Sequence, residues 1–204
     1  MILIVCAVAA ELAALTTRAL VDRVAVGVGP VEAALGTARA LAARPYRAVI
    51  NAGIAGGFRA RAAVGDAVAV AREHYVELGL EDGTAFPLPD GVSLVRTVES
   101  DPVLLRACGE GRVDVRIGTG ITCATVTTTD ARAALLEARF GADVESMEGF
   151  AVLRAAHAAG VPALELRGVS NLVGERSTNG WDFRAGAHAV VATTEALLDV
   201  LLGE

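Results

Sequence analysis

The chain contains no lysine and no glutamine, so all 18 basic residues among its 204 are arginine. Without lysine, Schiff-base catalysis and the phosphate-gripping lysine of a P-loop are excluded. Cysteine is scarce: Cys6, Cys108 and Cys123 lie far apart and form no CxxC pair. Neither a zinc knuckle nor a redox dithiol is supported, and each thiol reads as a small hydrophobe in a reducing compartment. Positive charge is in deficit, with 18 Arg against 24 Asp and Glu and a net charge of −6. A nucleic-acid partner needs a basic face to neutralise phosphates, so none is expected. No HExxH or GxSxG motif occurs, and no metal or cofactor is expected. The apolar opening, Met1–Ala10, has no basic flank and is interrupted by Glu11. It is too short to span a bilayer and reads as a buried first strand. The expectation is a cytoplasmic protein with no membrane partner.

What is present is apolar: 53% of residues are hydrophobic and 21% charged, which rules out disorder. A chain of this length suits one domain, here residues 1–204, burying roughly 70% of its unfolded surface. Apolar runs alternate with helical stretches. MILIVCAV (1–8) is a strand covered on both faces, and Ala9–Leu20 has helix composition. A second strand, Arg23–Val28, ends at Gly27-Val28-Gly29-Pro30, where Pro30 sits at a helix N1 position for Val31–Ala43. Strand Ala48–Ala52 ends in the Gly-rich turn 53–57. Ala67–Leu78 is a strand, Pro102 opens a short helix, and Val113–Thr122 is a strand. Thr129 caps a helix over Ala131–Phe140, which Gly141 stops. Strand 143–146, helix Met147–Ala159, strand Val161–Val169 and a long helix Asp182–Leu202 follow. Such alternation predicts an α/β fold, three layers α/β/α around a mostly parallel mixed sheet. Ligands on such sheets sit beyond the carboxyl ends of strands, so polar residues there are candidates.

Five features stand out near strand ends. Glu11 follows strand one, and the Gly53-Ile54-Ala55-Gly56-Gly57 segment lets a ligand approach backbone. Glu148 follows the strand at 143, where a carboxylate is favoured by the helix dipole and can accept from two ribose hydroxyls. Arg167 lies inside an apolar run and needs a buried carboxylate partner, for which Glu11 is a candidate. Asn171 offers both donor and acceptor and can read a base edge. Each has a plainer reading: a helix-end carboxylate, a structural ion pair, a turn Asn. The lone Trp, Trp181, precedes the last helix and either covers a ligand or packs that helix on the core.

Together these segments resemble the nucleoside phosphorylase/nucleosidase superfamily, and specifically its hydrolytic branch. The likeness runs through Ala10-Glu11, Gly27–Ala34, Asn51–Gly57, Val64-Gly65-Asp66, Val144–Gly149 and Arg167–Asn171. Within the superfamily, Glu145-Ser146-Met147-Glu148-Gly149 and Ser170–Arg176, followed by Trp181, are most similar to the futalosine hydrolase family. The resemblance implies water-driven cleavage of a purine N-ribosidic bond. Glu148 would bind the ribose hydroxyls and Met147 would lie against the sugar. Glu11 would deprotonate the attacking water, with Arg167 holding its carboxylate. It further implies a homo-oligomer, at least a dimer. Two departures from the related methylthioadenosine/adenosylhomocysteine nucleosidases matter. Asn171 stands where those place Asp. An amide N–H suits O6 and N7 of a 6-oxopurine such as hypoxanthine and would clash with the amino group of adenine. Ile54 stands where they carry Ser, which removes one holder of the water. Futalosine carries a benzoate on its 5′ arm, and Arg176, Arg184 and His74 are the cations on offer for it. The alternatives are an adenine-releasing nucleosidase, a phosphorylase and a non-catalytic nucleoside-binding module.

Overall fold

In a computed structural model the described residues are 1–80, 82, 84, 86–110, 115–174 and 180–203. Strand β1 (Ile2–Cys6) shows how the layers arise. Its side chains alternate between two apolar clusters, Ile2, Ile4 and Cys6 on one side and Leu3 and Val5 on the other. β1 lies between β2 (Val21–Ala25) and β3 (Ala48–Gly57), parallel to both. Helices α2 (Pro102–Glu110) and α5 (Phe183–Leu202) bring Leu104, Val190 and Leu197 to the first face. Helices α1 (Pro30–Ala43) and α4 (Gly149–Ala158) cover the second with Ala33, Val152 and Leu153. Helix α3 (Asp130–Phe140) packs Leu136 against Phe58 and Ile121. The α/β layering expected from the alternation is therefore present. Helix α5, at 20 residues, is long and apolar enough to cross a membrane by length and composition, but it lies along the core with Val190 and Leu198 fully buried.

The remaining strands are β4 (Ala67–Tyr75), β5 (Thr97–Glu99), β6 (Arg116–Thr122), β7 (Val144–Ser146) and β8 (Ala163–Leu172). The sheet runs β2-β1-β3-β7-β6-β4-β5, with β8 pairing both β3 and β4. Five strands thus close on themselves, from β3 through β8, β4, β6 and β7 back to β3. Ala55, Val68, Val70, Val144 and Val169 pack together within this ring.

Several local expectations change. The helix foreseen over Ala9–Leu20 is only a 3-10 turn, Ala9–Leu12. Beyond it the chain is captured by α5, because Thr16 N–H and the Arg18 guanidinium both bond Glu195. The Gly-rich segment 53–57 is not a turn. β3 continues through it, since glycine lets β8 come close: a Cβ on Gly57 would lie 2.8 Å from Val169. β8 likewise runs past Val169 and contains Ser170 and Asn171. A one-residue register shift sets Val169 opposite Ala55 and Asn171 opposite Gly56, leaving Ser170 as the extra residue. The three-residue β5 has no counterpart in the sequence reading.

Candidate active site

A crevice of about 440 Å³ opens at the ends of β1, β3, β7 and β8. Its first wall is the turn after β1. There Val8 N–H donates to Glu11 Oε2 at 3.0 Å, and Ile54 N–H donates to Glu11 Oε1 at 3.0 Å. Both carboxylate oxygens are thus held by backbone. Ile54, Ala55 and Gly56 of β3 form the adjoining surface. Gly53 lies just behind, and its lack of a side chain matters: a Cβ there would sit 2.6 Å from Arg167 Nη1 and 2.8 Å from Glu11 Oε1.

The second wall is the β7–α4 junction, which supplies Met147 and Glu148. Glu148 occupies the N-cap position of α4 yet makes no cap bond with its side chain. Its Oε1 instead accepts from Gly29 N–H at 3.0 Å, and its Oε2 lies 3.8 Å from Arg167 Nη2. The Gly27-Val28-Gly29 segment therefore serves through a backbone donor, with Gly29 at φ 89°, a conformation that favours glycine. Burial pushes the Glu148 carboxyl above its ordinary range, and the Arg167 charge and the Gly29 N–H only partly oppose this.

Arg167 is 1% exposed, so its charge must be met inside the protein. The expected partner, Glu11, is not the one it bonds. Arg167 Nε donates to Glu165 Oε1 at 2.7 Å, two residues back on β8, and Nη1 reaches Ile54 O at 3.4 Å. Alternate residues of a strand share a face, which explains the pairing with Glu165. Ile54 stands between Arg167 and Glu11, its C=O accepting from one and its N–H donating to the other.

The third wall holds Asn171 and Trp181. Asn171 Oδ1 accepts from the Ser170 hydroxyl at 2.9 Å, and Nδ2 donates to Leu172 O at 3.2 Å. A primary amide has two N–H groups, so one remains to face the crevice. Trp181 rests on Phe183, with ring centroids 5.0 Å apart, at the crevice edge. Glu11, Ile54, Ala55, Gly56, Met147, Glu148, Asn171 and Trp181 therefore all line this crevice, with Gly53 and Arg167 directly behind it. The reading included Glu145 in the likeness but gave it no role; it is a crevice carboxylate held by Thr127 N–H at 2.9 Å. Glu165 and Glu73 below were missed. Period-two spacing from Arg167 was the available signal for Glu165.

Of the cations proposed for a 5′ carboxylate, the two among the described residues, His74 and Arg184, are not at the wall. His74 bonds Thr97 at 2.9 Å and packs on Phe140, and Arg184 is exposed on α5 away from the lining. Arg176 lies outside the described residues. Among the described residues no cation lines the crevice, and no group of three or more His, Cys, Asp or Glu side chains is arranged to hold a metal. Burial raises the thiols of Cys6 and Cys108 to about 11, so they stay protonated.

Residues 16–202 match the Phosphorylase superfamily. The chain is 47% identical to a futalosine hydrolase of Streptomyces coelicolor over 184 residues, 86% of this chain and 76% of that one. It is 32% identical to a futalosine hydrolase of Thermus thermophilus, over 84% of this chain and 78% of that one. Its fold is shared with a 5′-methylthioadenosine/S-adenosylhomocysteine nucleosidase of Colwellia psychrerythraea solved with adenine. That comparison has a TM-score of 0.80 at 24% identity and covers 99% of this chain and 94% of that one.

Proposed function

The chain belongs to the Phosphorylase superfamily and, within it, to the futalosine hydrolase family, and we propose that it hydrolyses the N-ribosidic bond of futalosine to release hypoxanthine. The observation that carries this reading is the meeting of Glu11, Glu148 and Asn171 in one crevice, with Arg167 beneath two of them.

The chemistry follows from charge. Cleavage leaves oxocarbenium character on the sugar and negative charge on the departing purine. Glu148 accepts from the ribose hydroxyls, and the polarizable Met147 thioether lies along the sugar. Glu11 takes a proton from water on the face opposite the base. The remaining N–H of the Asn171 amide donates to the O6/N7 edge of hypoxanthine as charge builds there. Trp181 covers the purine or the 5′ arm. Water rather than phosphate is the nucleophile in this reading. A dianion entering the crevice would meet the Glu11 and Glu148 carboxylates and, among the described residues, no lining cation.

The reaction is one step on a route to menaquinone, and we place it in the cytoplasm. The three cysteines support that location, since all are buried free thiols. A homo-oligomer is part of the reading. Val8, Val28 and Phe183 at the crevice are 44%, 56% and 55% exposed, an apolar rim suited to a second copy. Light scattering checks it, and a monomer at working concentration refutes it. The deciding experiment incubates the protein with futalosine in phosphate-free buffer and follows bases by chromatography. Hypoxanthine is expected. Release that depends on phosphate, adenine release from methylthioadenosine in its place, or no base from any 6-oxopurine nucleoside would each overturn the proposal.

A further inference from the structure

Beneath the crevice, inside the five-strand ring, three buried polar atoms have no hydrogen-bond partner among the described residues: Glu73 Oε2, Glu165 Oε2 and Arg167 Nη2. Their side chains are 1%, 0% and 1% exposed. Glu73 reaches the ring through a register shift in β4 between Val70 and Arg72. Without that shift the inward series of Val68 and Val70 would continue at Arg72. Its Oε1 accepts from the Thr122 hydroxyl at 2.7 Å. Glu165 accepts from Arg167 Nε at 2.7 Å and from the Ser146 hydroxyl at 3.4 Å. Glycines make the room, since a methyl on Gly120 would strike Glu73 Oε2 and one on Gly149 would strike both oxygens of Glu165.

Two ionised carboxylates side by side in a dry interior repel and leave acceptors unsatisfied. One proton held between them satisfies both free oxygens at once. We propose that Glu73 is a positioning residue that keeps its proton and donates it to Glu165, so that Glu165 fixes the Arg167 guanidinium beneath Glu148 and Glu11. Burial, reinforced by the Glu165 charge, holds the Glu73 carboxyl well above the ordinary range. The charged groups acting on it are Glu165 and Arg167 of β8. β6 adds only the Thr122 hydroxyl, and β5 sets Val98 beside it. Ionising Glu73 would place a second negative charge next to Glu165 and draw the guanidinium away from Glu148.

The consequence for turnover rests on the nucleosidase reading; the consequence for stability does not. Glu73→Gln keeps a donor and cannot ionise. In the wild type the native state binds the Glu73 proton more tightly than the unfolded state does. Stability from this group is therefore full at low pH and is lost as pH rises through the folded value. The wild-type melting temperature should accordingly fall relative to E73Q as pH rises from the ordinary carboxyl value of 4.5 towards the raised folded value. Infrared difference spectra, wild type minus E73Q near neutral pH, should show a carboxylic-acid C=O band. If E73Q does not fold, the same band is sought in the wild type and should persist in Glu148→Gln. In hypoxanthine release, wild-type kcat should fall at alkaline pH while E73Q stays level, and Glu165→Gln should lose at least ~10-fold in kcat through misplaced Arg167. Equal pH slopes of melting temperature in wild type and E73Q, or no protonated-carboxyl band, would overturn the proposal. Failure of all base release would instead strike the nucleosidase reading and leave the spectroscopic and thermal tests standing.

Discussion

Gly53→Ala is the smallest change that reaches both charged groups of the proposed water site. The added Cβ would lie 2.6 Å from Arg167 Nη1 and 2.8 Å from Glu11 Oε1, where ordinary contact begins at 3.4 Å. One group must retreat by about 0.8 Å and the other by about 0.6 Å, and each is restrained. Arg167 is tied to Glu165 at 2.7 Å with 1% exposure, and Glu11 is held by two backbone donors at 3.0 Å each. Gly53 is not among the residues with positive φ, so alanine brings no backbone strain of its own. A displacement near 1 Å in a catalytic group costs up to ~10²-fold in rate, so kcat should fall by ~10- to 10²-fold. Overpacking should also lower stability by about 1–3 kcal/mol. Initial rates of hypoxanthine release at saturating futalosine, with a denaturant melt beside them, measure both. Gly109→Ala, on α2 where a Cβ meets nothing within 4 Å, serves as a control with unchanged rate. If G53A kept kcat within about threefold of wild type, the placement of Glu11 and Arg167 in the chemistry would be wrong.

Glu11→Gln removes the base and should lower kcat by at least ~10²-fold while a non-hydrolysable inosine analogue still binds; near-normal turnover would dismiss Glu11 as the base. Asn171→Asp should shift preference from inosine-type towards adenosine-type substrates, and an unchanged ratio of kcat/KM between the two would remove Asn171 from base reading. Glu148 must be ionised to accept from the ribose hydroxyls, and its carboxyl is raised above the ordinary value of 4.5. Affinity for the same analogue, measured by calorimetry, should therefore weaken as pH falls through a midpoint above 4.5, and a midpoint at or below that value would contradict the assignment.

Elements bounded by local chemistry were legible in the sequence. Thr129 accepts from Arg132 N–H at the start of α3, and Gly141 ends it at φ 60°; Pro30 opens α1 and Asp182 caps α5. The apolar strands were legible too, because burial on both faces leaves a continuous hydrophobic run. What one-dimensional reading missed depends on partners distant in the chain. The stretch after Leu12 looks helical until Glu195 of α5 takes the Thr16 N–H. The Gly-rich segment reads as a turn unless β8 is known to press against it. Closure of the ring rests on β8 serving both β3 and β4, which no local pattern encodes.

The same distinction sorts the site residues. Glu11, Glu148 and Asn171 follow or end apolar strands, so the rule that ligands collect at strand ends finds them without knowing the topology. Glu165 and Glu73 lie within strands, where a carboxylate resembles an edge residue facing water, and only ring closure buries them. Arg167 bridges the two groups. A guanidinium in an apolar run demands a carboxylate, and strand periodicity favours the residue two positions away over any distant candidate. Pairing with Glu165 leaves Nη2 directed towards Glu148 at 3.8 Å, whereas a bidentate grip on Glu11 would have used that nitrogen up. Arg167 is therefore linked to Glu11 by hydrogen bonds only through the Ile54 backbone, beside the direct attraction of their charges, so replacing Ile54 with Ser should disturb water placement less than replacing Glu165, which fixes the guanidinium itself.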